Sequence, residues 1–259
     1  MPDVPPKVRL DRLLVERGMV ESRHRAEALI RTRNVLVGDK IVDKPGTQVR
    51  ADAEVCFREQ PSRFVGRGGD KIDSVFSHFG VEVAGRVAID IGSSTGGFTD
   101  SMLQRGARRV YAVDSGTNQL HHRLRTDPRV VVMEQTNARF LEPERFDPRP
   151  DVATVDVSFI GVRKILPALT DVLELPKEML VLVKPQFELE REAVGKGGVV
   201  RDEALHHRAI ALVSDCAAQL GLVKRGVVPA PLRGERKGNQ EYFLYLSAPG
   251  HCAEGAGES

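Results

Sequence analysis

Four charged side chains, Asp90, Asp114, Asp156 and Lys184, each close a short apolar run. In an open sheet of parallel strands such positions face the crevice where ligands bind. Asp90 lies in the run 86–91, which is followed by Gly92-Ser93-Ser94-Thr95-Gly96-Gly97-Phe98 and then by a helical pattern from Thr99. A strand, a glycine-rich turn and a helix N-terminus bring backbone N–H groups close to a ligand, so Asp90 and residues 92–98 are candidate cofactor contacts. The turn has neither the GxGxxG spacing nor the Lys-Ser/Thr ending of a P-loop. Asp114 follows Gly92 by 22 residues, where an acidic side chain accepts hydrogen bonds from both hydroxyls of a ribose. Asn137, after a third run, is placed to meet an adenine edge. The expected ligand is therefore a nucleoside.

The positioning elements alternate. Strands are expected at 86–91, 109–113, 129–133, 151–155 and 179–183, a long helix at 204–220, and a closing pair of strands at 222–228 and 241–246. Such alternation predicts an α/β fold with a mainly parallel sheet. A helix opens at Asp70 and ends near Gly80, with Lys71 in its first turn, where a cation opposes the helix dipole. The glycine-rich, basic segment 195–201 predicts either a mobile loop that orders over bound ligands or an ordinary exposed loop. His121-His122 and His206-His207 are adjacent pairs that cannot share a helix face as metal ligands, and are expected to be solvated or to sit at helix N-termini.

The chain has 259 residues, 41% hydrophobic and 29% charged, with a net charge of +2. That near-neutral sum conceals an asymmetry, because the first 69 residues carry 14 basic and 10 acidic side chains. Residues 7–33 alone hold eight basic side chains against four acids. Leu10, Leu13 and Leu14 form one helical stripe stopped by Gly18; Ser22 caps a second with Ala26, Leu29 and Ile30. A hairpin follows at 35–42 with Gly38-Asp39 as its turn, and 47–57 supplies a further strand. An arginine-coated unit of this size suits phosphate binding better than an enzyme cleft. No apolar run reaches the length of a membrane span, and the three cysteines are scattered. A cytoplasmic protein without structural metal is expected, bound to no membrane, with a monomer favoured and the oligomeric state otherwise open. Residues 249–259 form an expected disordered tail.

The run RLDRLLVERGMVESRHRAEALIRTRNVLVGDKIVDKPGTQV resembles the S-four RNA-binding domain over residues 7–60. This resemblance implies recognition of folded RNA, with Arg9, Arg12, Arg23, Arg25, Arg33 and Lys40 as contacts. The series Asp90-Ile91-Gly92, Asp114, Asn137, Asp156 resembles the S-adenosylmethionine-binding core of Rossmann-like class I methyltransferases, with helices on both faces of the sheet. Asp70-Lys71, Asp156-Val157-Ser158-Phe159, Lys184-Pro185-Gln186-Phe187-Glu188, the segment 195–202 and Gly238-Asn239-Gln240-Glu241 are similar to the TlyA family. That family comprises ribosomal RNA ribose 2′-O-methyltransferases related to FtsJ, some labelled haemolysins. The resemblance implies S-adenosylmethionine as cofactor, cytidines of 16S and 23S ribosomal RNA as targets, and a catalytic tetrad at Lys71, Asp156, Lys184 and Glu241. The expected division is an RNA-binding domain at 1–62, a linker at 63–69 that packs through Phe64 and Val65, and a methyltransferase domain at 70–248.

A ribose hydroxyl is a poor nucleophile until its proton is taken or shared. Lys184 is expected to accept that proton or to orient the oxygen, with Lys71 as the neighbouring cation. Asp156 would orient Lys184 and lie near the sulfonium, and Glu241 would position Lys71 or the target ribose. Three other readings compete: a membrane-lytic protein, which lacks a spanning segment; a non-catalytic ribosome-binding factor, disfavoured by the intact tetrad; and a pseudouridine synthase, disfavoured by the glycine turn.

Overall fold

The computed structural model describes residues 5–58, 61–231 and 238–250. The expected tail from 251 and Cys252 lie outside them. The chain divides into two compact units, Met1–Pro61 and Ser62–Ser259.

In the first unit, β1 (Lys7–Arg9) runs into α1 (Leu10–Glu16), and α2 (Arg23–Arg31) follows. Gly18 ends the first helix at φ +66°, and the Ser22 hydroxyl caps the second by accepting from Arg25 N. Leu10, Leu13, Leu14, Ala26 and Ile30 are buried together, so the two apolar stripes form the core of this unit. β2 (Val35–Val37) and β3 (Lys40–Val42) make the expected hairpin. The further strand expected over 47–57 is two strands in different sheets. β4 (Gln48–Arg50) pairs with β1, and β5 (Val55–Phe57) pairs with β2. A turn at 51–53, closed by Ala53 N on the Arg50 carbonyl and by an Arg50–Asp52 ion pair, redirects the chain between them.

The second unit is a seven-stranded sheet covered on both faces. Its elements are α3 (Arg67–Phe79), β6 (Val87–Ile91), α4 (Gly97–Gln104), β7 (Arg109–Val113), α5 (His122–Arg125), β8 (Val130–Met133), β9 (Val152–Val155), α6 (Leu166–Val172), β10 (Glu178–Val183), α7 (Pro185–Glu188), α8 (Glu203–Gln219), β11 (Val223–Pro229) and β12 (Tyr242–Ser247). The strand order is β11-β12-β10-β9-β6-β7-β8. The strands from β10 to β8 are parallel; β12 is antiparallel to β10 and to β11. Alternate residues of β6 serve opposite faces: Val87, Ile89 and Ile91 join α6 and α8, whereas Ala88 joins α3, α4 and α5. Both faces being covered, the central strands read as continuous apolar runs. From β6 the chain steps outward to β7 and β8, then returns to β9 on the other side of β6. The carboxyl ends of β6 and β9 thus flank the topological switch point, where open α/β sheets bind ligands.

The helix expected from Asp70 begins at Arg67, inside the segment read as a linker. Lys71 is therefore in the second turn, clear of the exposed N–H groups that would oppose its charge. Phe64 is buried, and Val65 N donates to Asp100 Oδ2 at 2.8 Å.

Candidate active site

The glycine turn after β6 is shaped by close contacts. Gly92 has φ +82°, and a Cβ there would stand 2.2 Å from the Asp156 carbonyl oxygen. At Gly96, φ +97°, a Cβ would stand 2.2 Å from Leu124. Only glycine meets both the backbone conformation and the space. Gly97 serves packing, since a Cβ there would lie 2.8 Å from Gly69 N. The N–H groups of the turn point into the protein: Gly92 and Ser93 donate to the Val113 carbonyl, Gly96 to the Ser93 carbonyl, and Ser94 to Asp114 Oδ2 at 2.8 Å. The donor-lined cradle expected of such a turn is thus absent at these four residues, and a phosphate has no array of amides to bind there.

Asp114 joins two loops, its Oδ1 accepting from Gly116 N at 2.7 Å. Each carboxylate oxygen has a second lone pair, so the half-buried group can still accept from ribose hydroxyls. Asp90 is fully buried and accepts from Thr99 Oγ1 at 2.6 Å and Thr154 Oγ1 at 2.9 Å. Burial pushes its carboxyl up to about 6, against the pull of the two hydroxyls and with a further push from the Asp156 charge. Asn137 is exposed, and its Oδ1 accepts from Arg139 N at 3.1 Å, capping a short turn. Phe98 departs from expectation. Its ring is in the core, 6.1 Å from that of Phe243, because α4 turns it towards the sheet, and only its backbone faces the turn.

Two lysine–carboxylate pairs stand at the carboxyl ends of the strands. Lys71 Nζ lies 2.7 Å from Glu241 Oε2, both buried, and 5.6 Å from the centre of the Phe243 ring. Lys184 Nζ lies 2.6 Å from Asp156 Oδ1 and 3.1 Å from Ser158 Oγ. Val183 is opposite Tyr242 in the β10–β12 register, so one further step sets Lys184 against Glu241 and brings the two pairs side by side. Asp156 N donates to the Ile91 carbonyl at 2.9 Å, which holds this carboxylate at the switch point beside Gly92.

Ser158, Phe159 and Gln186 enter the sequence analysis only as parts of family motifs, without a role of their own. Ser158 carries no spacing signal. Phe159, at φ +67°, is 93% exposed, with its ring 5.7 Å from Phe187. Gln186 Oε1, two residues after Lys184, is a buried oxygen with no hydrogen-bond partner in the structure. The loop 195–201 is held: Asn239 Oδ1 accepts from Val200 N at 2.8 Å, Asn239 Nδ2 donates to the Gly198 carbonyl at 2.7 Å, and Gly195 bridges Val199. His206, expected to be solvated or at a helix start, is buried in the first turn of α8, bonded to the Val200 carbonyl and the Tyr242 hydroxyl.

In the first unit, Arg9 and Arg23 both reach Asp11, and Arg12 pairs with Glu16. Arg25 is half-buried in α2, whereas Arg33, at φ +60°, and Lys40 in β3 are exposed. Arg17, by contrast, donates to the Ala51 and Ala53 carbonyls and serves the fold.

Residues 64–248, a span that contains the sheet, both lysine pairs and the glycine turn, match the model of the FtsJ-like methyltransferases. The chain belongs to the FtsJ-like methyltransferase family. Residues 8–55 match the S4 domain. YqxC of Bacillus subtilis is 45% identical over 96% of this chain and 89% of its own. The protein of Mycobacterium tuberculosis named 16S/23S rRNA (cytidine-2'-O)-methyltransferase TlyA is 42% identical over 93% of this chain and 90% of its own. A solved structure from Streptococcus thermophilus, provisionally described as a haemolysin, superposes with TM-score 0.73 at 40% identity, covering 94% of this chain and 89% of that one. As an FtsJ-like methyltransferase, this enzyme uses S-adenosylmethionine as methyl donor. The site suits that molecule: it carries a sulfonium and no phosphate, which matches carboxylates at three strand ends and a turn whose amides are already bonded. Gln186 Oε1 is in addition an acceptor awaiting a donor.

Proposed function

We propose that this FtsJ-like methyltransferase methylates the ribose 2′-hydroxyl of cytidine in 16S and/or 23S ribosomal RNA, in the cytoplasm, docking through its first unit and doing chemistry in its second. The observation that carries the reading is the pair of lysine–carboxylate contacts at the switch point, Lys184–Asp156 and Lys71–Glu241. The name of the Mycobacterium relative supports the choice of substrate.

Bound S-adenosylmethionine supplies an electrophilic methyl group. Asp114 holds the ribose of the cofactor, and Asp90 with Asp156 gives the site the negative charge that a sulfonium needs. Lys184 orients the target oxygen. As the O–C bond formed and the methyl–sulfur bond broke to leave a neutral thioether, the attacking oxygen would become cationic and its proton strongly acidic, so no strong base is required. The proton passes to the Lys184–Asp156 pair, Lys184 taking it while giving one to Asp156. Lys71, fixed by Glu241, stands beside this pair and orients the ribose. Phe159 offers a bare aromatic face next to Ser158, on which a base turned out of its stack can lie. Among the described residues no helix is long and apolar enough to cross a membrane.

Incubation of the chain with labelled S-adenosylmethionine and ribosomal subunits tests the reading. Lys184→Ala is expected to lower methyl incorporation by a factor on the order of 10² or more, general acid–base groups commonly contributing 10²–10⁴, while S-adenosylmethionine still binds. Undiminished incorporation would overturn the mechanism.

A further inference from the structure

Asp11 enters no part of the reading above, yet it is the most completely bonded carboxylate of the first unit. Its side chain is 0% exposed, and it meets donors from three elements. Arg9 Nε donates to Oδ1 at 3.0 Å and Arg9 Nη2 to Oδ2 at 2.8 Å, the two-pronged geometry of a guanidinium on a carboxylate. Arg23 Nε, arriving from α2, donates to Oδ2 at 3.0 Å, and Arg12 N donates to Oδ1 at 2.9 Å. Both arginines remain open to solvent. Arg9 Nη1 and both terminal nitrogens of Arg23 stay outside the grip of the carboxylate. Two further acids border the cluster: Glu27 Oε1 is 3.5 Å from Arg23 Nε, and Glu16 holds Arg12. On the other side the Arg9 guanidinium lies against Gly46, where a Cβ would come within 3.4 Å of Nη1.

We propose that Asp11 is a positioning residue that locks Arg9 and Arg23 into one rigid fork for a phosphodiester of the RNA backbone. The proposal rests on the reading of this unit as the part that docks on RNA. A free arginine must surrender rotamer freedom when it binds a phosphate, whereas these two have surrendered it on folding. Asp11 keeps its charge at every working pH, because the hydrogen bond from Arg9, with help from Arg23, holds its carboxyl down at about 2.

The sign of the effect separates positioning from bare charge. Asp11→Asn removes a negative charge next to the fork, so Coulombic attraction alone makes the variant bind RNA more tightly. Positioning predicts the reverse. In the full chain, filter binding to ribosomal subunits over a salt series is expected to show affinity weakened about tenfold, with the slope of log K against log salt shallower by about one. The KM for subunits rises in step, while kcat and the affinity for S-adenosylmethionine stay at the parental values. The double variant R9K/R23K keeps both charges but loses the fork; it is expected to bind as weakly as Asp11→Asn, and adding Asp11→Asn to it costs nothing more. Parental or tighter binding by Asp11→Asn overturns the proposal, as does parental affinity in R9K/R23K, which decides the matter if thermal melts show Asp11→Asn to be unfolded. A parental chain that binds no RNA removes instead the reading on which the proposal rests.

Discussion

Replacing Asp90 by Asn exchanges stability for function, and the size of the exchange follows from the structure. A free aspartate titrates near 3.8, and burial in the sheet moves this one up to about 6, which makes its ionisation about 3 kcal/mol harder in the folded chain. Between about pH 4 and pH 6 the folded chain retains a proton that the unfolded chain has released. The stabilisation this brings is complete below about pH 4 and is lost progressively as pH rises through 6. An asparagine never ionises, and its amide can accept from one of Thr99 and Thr154 and donate to the other. The variant should therefore exceed its parent in urea unfolding by about 3 kcal/mol at pH 8 and by about half of that at pH 5, with the same m-value. On the proposed function it should also bind S-adenosylmethionine more weakly, since a negative charge buried beneath the site is gone. A stability difference of equal size at both pH values would refute the reasoning, because it would mean that Asp90 does not titrate between them.

Gly92→Ala forces a Cβ to within 2.2 Å of the Asp156 carbonyl in a left-handed conformation, so β6 and β9 must separate at the switch point. A loss of about 2 kcal/mol or more in stability, measured by chemical unfolding, and abolished cofactor binding by calorimetry are expected. Phe159→Ala removes a side chain that touches little in the free protein, so the melting temperature should stay within a degree or two. The KM for ribosomal subunits should rise about tenfold, base stacking on an aromatic ring contributing roughly 1–3 kcal/mol, with cofactor affinity unchanged in the same calorimetric titration.

The parallel strands were legible because each is a short apolar run ending in a charged or polar residue at the ligand-facing edge. The onset of α3 was not. Gly66 caps it without a side-chain bond, and Gly68 and Gly69 disfavour helix by intrinsic propensity. Their reason lies in packing: a Cβ on Gly68 would stand 3.3 Å from the Phe98 ring of α4 and one on Gly69 2.3 Å from Phe64, requirements visible only once the chain is folded. Asp11 reads as one more polar residue on an amphipathic helix, and nothing local shows that Arg9 and Arg23 enclose it. His206 and Asn239, far apart in the chain, meet on the same loop through contacts that no periodicity records. The tetrad was placed by resemblance; spacing along the chain says nothing of which lysine faces which carboxylate.

β12 is the last strand of the sheet in sequence but lies inside it, between β10 and β11. It carries Phe243 and follows directly on Glu241, the partner of a lysine 170 residues earlier. On the proposed function, chemistry therefore waits until residue 241 has been made and β12 has entered the sheet. A chain cut short before Glu241 keeps the residues of the first unit, leaves Lys71 without its carboxylate and β10 with a bare edge, and on the proposed function would occupy RNA without modifying it.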